Sequence, residues 1–234
     1  MKTIRAVAIG VTALAGSAIA QGVPTPGFVV PAIREPHHFV KLDNKYVRVL
    51  DVTVEPHGGT LFHIHENPYF WIAIGAADLR GQTLGSNELV TIQSADGQVR
   101  YSPVVTHRVG NVASAPFRNI TVQIQARDDV SPPGAFKATP RPTGYQTTPV
   151  LDNELVYIER LVLDPGQSTG RYTLPRSGIL IAARDGMLSV ERQGSTAQRV
   201  ELKAGDFDWH TGPLTHAISN VGTTRFEAIE AVWK

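Results

Sequence analysis

The sequence repeats itself at a fixed interval. Shifted by 109 residues, Val54-Glu55-Pro56 falls on Leu163-Asp164-Pro165, His107 on His216, and Asn111 on Asn220. Ile72, Leu79, Val112, Phe117 and Ile120 fall on Ile181, Leu188, Val221, Phe226 and Ile229 at the same shift. One offset held over about seventy residues implies a duplicated unit. Each copy is long enough to close its own core.

Within each copy the apolar residues follow a strand period. Residues 39–54 alternate, with a slip of phase at Val49-Leu50 such as a bulge would make. Residues 61–65 and 118–124 alternate, and 69–74 are aromatic and branched. In the second copy 155–163, 178–183 and 226–232 are the corresponding runs. With 21 Gly and 16 Pro and no helical pattern after the leader, the chain is expected to be all-β, a barrel or sandwich in each copy. Between the copies lie Ser131-Pro132-Pro133-Gly134 and Thr139-Pro140-Arg141-Pro142. Proline lacks the N–H a ladder needs, so this stretch is expected to be a connector outside any sheet interior. The expected division is a leader at 1–20, a first domain with an N-terminal arm at 21–126, a connector at 127–150 and a second domain at 151–234.

The leader has the three parts of a secretory signal: Lys2 and Arg5, a small and apolar run, then Ala18 and Ala20 before a cut after Ala20. The run is too short to span a bilayer. The expectation is a periplasmic or secreted protein with no membrane segment once the leader is removed. Lys and Arg total 22 against 21 Asp and Glu, without blocks of one sign, which opposes a nucleic-acid-binding surface. The absence of Cys excludes disulfides, thiolate-held metals and thiol nucleophiles. Gly58-Gly59 has no phosphate-loop continuation.

The histidines carry the chemistry. Six of the eight lie in the first copy. His63 and His65 are two apart on a strand and therefore share a face. Leu61 precedes them on that face, which is expected to look into the barrel. His107, ahead of a later strand, is the candidate third donor once the barrel closes. Three imidazoles suit one divalent transition metal, with Fe, Mn, Cu, Ni, Co and Zn all compatible. His37, His38 and His57 are expected at loops or strand edges. In the second copy Tyr172 and Leu174 stand opposite His63 and His65, leaving His216 alone. That copy is expected to be structural.

These residues resemble the motifs of the cupin superfamily and, in duplicate, of a bicupin. The first family motif, G-x5-H-x-H-x3,4-E-x6-G, is matched by His57 to His65 and on to Gly75. The second, G-x5-P-x-G-x2-H-x3-N, is matched by Gly97-x5-Pro103 and His107-x3-Asn111. The resemblance implies two tandem double-stranded β-helix (jelly-roll) domains and metal-ligand positions at His63, His65 and His107. Where the family has a metal-binding Glu this chain has Pro68, Tyr69 or Phe70, depending on register. Glu66 and Tyr69 are the nearest groups able to handle a proton, and are the candidate catalytic residues.

The resemblance further implies a mononuclear-metal, dioxygenase-type oxidoreductase, similar to quercetinase-like enzymes, acting on a small organic molecule in the first barrel. Two alternatives stand beside it: a non-catalytic cupin that binds a small molecule or metal, and a non-redox lyase or isomerase. The expected partner is a small substrate or ligand, and a homodimer is compatible with the sequence.

Overall fold

The computed structural model describes residues 28–131 and 144–234. The expected leader and cleavage point lie outside them, as does the middle of the connector. No described helix is long and apolar enough to cross a membrane.

The first barrel opens with β1 (Val29–Pro31), one 3-10 turn (Ala32–Arg34), β2 (His38–Asp43) and β3 (Val47–Val54). There follow β4 (Phe62–His65), β5 (Tyr69–Ile74), β6 (Ala77–Thr83), β7 (Val90–Ser94), β8 (Val99–Ser102), β9 (Val105–Asn111) and β10 (Phe117–Ile124). They form two five-stranded sheets, β1-β4-β9-β6-β7 and β2-β3-β10-β5-β8. The second barrel comprises β11 (Gln146–Asp152), β12 (Val156–Leu163), β13 (Tyr172–Leu174), β14 (Gly178–Ala182) and β15 (Gly186–Arg192). It ends with β16 (Gln198–Leu202), β17 (Phe207–His210), β18 (Leu214–Asn220) and β19 (Phe226–Trp233), in sheets β11-β12-β19-β14-β17 and β13-β18-β15-β16. Strands β3, β6, β9 and β10 recur as β12, β15, β18 and β19 at the 109-residue interval. Among the described residues β1 has no counterpart.

The buried asparagines of the repeat explain part of its persistence. Asn111 Nδ2 donates to the carbonyls of Val54 and Ala115, and Asn220 Nδ2 to those of Leu163 and Thr224. Each buried amide ties the end of one strand to the loop before the next, and an apolar residue there would leave the Val54 or Leu163 carbonyl without its side-chain donor.

The inner face of the first barrel carries Leu50, Val52, Val54, Leu79 and Phe117; that of the second carries Leu161, Leu163, Leu188, Ile218 and Phe226. A third cluster joins the barrels. Val47, Val49, Phe70, Ile72 and Ile120 of one pack with Ile158, Ile179, Ile181, Ile229 and Trp233 of the other. The sheets containing β3 and β12 therefore lie back to back, with their central strands buried on both faces.

This corrects one sequence expectation. β3 has no slip at Val49-Leu50: its pairing with β10 runs unbroken from Val54 to Val47. Val49 and Leu50 are both buried because one faces the other barrel and the other its own interior. The bulge lies across the ladder in β2, between Val40 and Leu42. Its counterpart in β11 lies between Pro149 and Leu151. At the end of the connector, β11 begins at Gln146. It is an edge strand with its proline beside the bulge, where a missing donor is tolerated.

Candidate metal centre

β4 supplies His63 and His65, and β9 supplies His107, directly opposite His63 in the antiparallel pairing. The three rings converge, with centroids 4.6 Å (His63–His107), 5.0 Å (His63–His65) and 5.2 Å (His65–His107) apart. One nitrogen from each lies within 4.8 Å of the others. His63 Nε2 and His65 Nε2 are 3.2 Å apart. Two nitrogens bound at about 2.0–2.1 Å to one metal would stand at about that separation.

The surroundings fit a metal. The Nδ1–H of His63 donates to the Leu61 carbonyl at 2.9 Å, which leaves the Nε2 lone pair facing inward. His107 Nε2 is buried and has no hydrogen-bond partner among the described residues, a cost that a bound cation would remove. Burial disfavours the charged form of every ring. It lowers the His63 and His65 pKa values, and His107 is pulled down to about 3. Near neutral pH all three are therefore uncharged, as metal ligation requires. Gln123 on β10 is buried, with Nε2 3.2 Å from His65 Nδ1. Its amide oxygen, turned to the same place, would accept the His65 Nδ1–H and free Nε2 for a metal.

Tyr69 stacks on His65 at 4.0 Å between centroids, with the planes 21° apart. Burial pushes its phenol up to about 12. Glu66, expected among the catalytic residues, is exposed and does not line the pocket. His63 and His65 both face inward, and Glu66 falls one residue later, after the strand has ended. Leu61 does not line the interior either: it is 37% exposed and serves the site through its backbone. His57 is exposed in a turn at φ 59°, away from the pocket.

His38, expected at a loop or edge, is a fourth ring of the cluster. It is buried, stands edge-on to His63 at 4.7 Å, and its Nδ1–H donates to the Ala32 carbonyl at 2.8 Å. Burial pulls its pKa down to about 4. Behind it Glu35, also buried, accepts from the backbone N–H of His37 at 2.7 Å and of Leu61 at 3.2 Å. Burial alone would raise the Glu35 carboxyl, but hydrogen bonds from the side chain and backbone of His37 outweigh it and hold it low. The arm sets both residues in place. β1 runs parallel to β4, with Val30 opposite His63, and the 3-10 turn sends the chain back across the barrel.

The rings open into a cavity of about 240 Å³, walled by Val52, Val54, Trp71, Leu79, Ile92 and Phe117. A dry cavity of about 150 Å³ already accepts benzene, so this one is sized for a single-ring or similar molecule.

The second barrel is built differently at the same place. Tyr172 pairs with His216 as His63 pairs with His107. Its hydroxyl donates to the buried Glu230 carboxylate at 2.7 Å, and His216 Nε2 lies 3.8 Å from the same oxygen. A cavity of about 450 Å³ lies against His216.

Solved structures share this architecture. A cupin 2 conserved barrel domain protein from Leptotrichia buccalis superposes with a TM-score of 0.52 at 13% identity, over 84% of this chain and 88% of that one. A mutant of Bacillus subtilis oxalate decarboxylase gives 0.60 at 10% identity, over 83% and 74%. The chain has the bicupin fold. A salicylate 1,2-dioxygenase from Pseudaminobacter salicylatoxidans matches this bicupin with a TM-score of 0.58 at 11% identity, over 83% and 75%. No protein-family model matches the sequence, and no curated protein matches it. At such identities the likeness speaks for the fold.

Proposed function

We propose that this bicupin is an exported, metal-dependent oxidoreductase of dioxygenase type, acting on a small organic molecule in the first barrel. The convergence of three uncharged imidazoles on one buried point, at the floor of a mostly apolar cavity, carries the reading. The fold shared with a salicylate dioxygenase supports it.

His63, His65 and His107 would hold the ion. A divalent transition metal with three protein ligands keeps positions open, and supplies Lewis acidity and, where redox-active, electrons to O2. The protein does the rest. The Leu61 carbonyl and Gln123 fix the ring orientations, and Tyr69 clamps His65 from one side. Because its phenol stays protonated at neutral pH, Tyr69 acts as a hydrogen-bond donor and not as a base. Trp71 and Phe117, packed edge to face at 5.9 Å, exclude water from the substrate.

The test is O2 uptake by the metal-loaded protein against phenols, flavonols, diketones and aromatic acids. Uptake matched by incorporation of both oxygen atoms into product supports the reading. Turnover that proceeds without O2 replaces it with non-redox chemistry. Binding without turnover replaces it with a carrier.

A further inference from the structure

The first-barrel cavity has an uneven charge. Among the described residues no Asp or Glu lines it, and its one charged side chain is Arg100. The Nε–H of Arg100 donates to Ser94 Oγ at 2.8 Å, and an Nη2–H donates to the Gln93 carbonyl. Both partners are neutral, and two of the five guanidinium N–H groups are used. Among the described residues no carboxylate pairs with it, whereas Arg48, Arg118, Arg160 and Arg184 all have acidic partners. The ligand set adds to the imbalance, since three neutral imidazoles leave the charge of a divalent ion uncancelled. A half-buried site with two uncompensated positive centres favours an anion.

The register places Arg100 with respect to the rings. On β5 and β8, Tyr69 faces Ser102 and Trp71 faces Arg100. Cross-strand partners share a face, so all four turn toward the cavity, which they line. Arg100 therefore stands one pair, about 7 Å along the strand, beyond the position that touches His65. A molecule of one-ring size can span from the rings to the guanidinium.

We infer that the substrate is a small carboxylic acid, with its carboxylate on Arg100 and its reacting part turned toward His63, His65 and His107. This rests on the first barrel being the substrate site.

The test is calorimetric binding of benzoate and of its neutral isostere benzamide to the full-length protein, with and without bound Zn2+. Wild type is expected to bind benzoate about tenfold or more tightly than benzamide, in line with a charge-assisted pair. Arg100→Gln is expected to erase that preference through loss of benzoate affinity, and an unchanged urea midpoint shows that the variant has folded. Arg100→Lys should keep part of it. Equal binding of the two probes by wild type, no binding of either, or an Arg100→Gln variant that keeps the preference would overturn the inference. Metal content and O2 uptake are measured separately. A protein that binds metal and consumes O2 but ignores charge at Arg100 refutes only the carboxylate. One that selects benzoate through Arg100 yet holds no metal refutes only the oxidoreductase.

Discussion

Arg160 of the second barrel closes over Gly97 of the first and donates to its carbonyl. Arg118 of the first does the same at the second, reaching the Ala204 carbonyl at 2.9 Å beside Gly205. Each arginine is held from its own barrel by an acid, Glu227 for Arg160 and Asp51 for Arg118, both at 3.0 Å. The contact is thus made twice, once in each direction. Each glycine has positive φ, 71° at Gly97 and 92° at Gly205. A Cβ would meet Arg160 Nη1 at 3.1 Å and Arg118 Nη2 at 2.7 Å respectively. Gly205→Ala is expected to destabilise the protein by about 1–3 kcal/mol, through the left-handed backbone and the displaced guanidinium. Gly97→Ala should cost somewhat less. Urea midpoints read the effect, and an unchanged midpoint for both would mean that the paired contact contributes nothing.

One metal per chain is expected by elemental analysis of the untagged protein. His63→Ala and His107→Ala should each remove it, because two imidazoles remain in either case. His216→Ala should leave it in place, since Tyr172 and Leu174 occupy the positions of His63 and His65 in the second barrel. Loss of metal in His216→Ala, or two equivalents in wild type, would move the site or add another.

Gln123 should tune affinity without being a ligand. Replacing it by Leu leaves His65 Nδ1 without a partner and is expected to weaken metal binding about 10–100-fold. Gln123→Glu offers only acceptors and should favour the tautomer with Nε2 free. Competition with a chelating dye measures both variants, and equal affinities across the series would show that Gln123 does not act on the metal.

The metal-free protein should weaken in mild acid. Burial lowers the folded-state pKa of His38, His63, His65 and His107, to about 4 for His38 and about 3 for His107. In the unfolded chain each titrates near 6.5. Between these values the unfolded state binds more protons, so stability is full above about pH 6.5 and falls as pH drops toward 4. Each histidine contributes a slope of at most about 1.4 kcal/mol per pH unit. Urea unfolding of apo protein at pH 7.5, 6 and 5 reads the slope, and His38→Gln should flatten it. A flat profile would mean that these rings are solvated.

The duplication, the strands and the three converging histidines were legible because each rests on short-range periodicity or on a constant offset. Legibility failed where two surfaces meet. Val49 and Leu50 read as a bulge because one sheet buries both faces, which a single strand cannot announce. Glu35 and His38 were missed because the arm has no copy among the described residues of the second barrel, and its parallel pairing with β4 leaves no mark in local pattern. Arg100 became readable only once the β5–β8 register set it beside Trp71.

The back-to-back sheets also decide what a cut through the connector would release. A fragment ending near residue 126 would keep all three converging histidines. It would also lay Val47, Val49, Phe70, Ile72 and Ile120 bare to water, a contiguous greasy wall of the kind that drives precipitation or self-pairing. The half of the molecule without the histidine cluster thus serves as the dry cover for the apolar back of the half that has it.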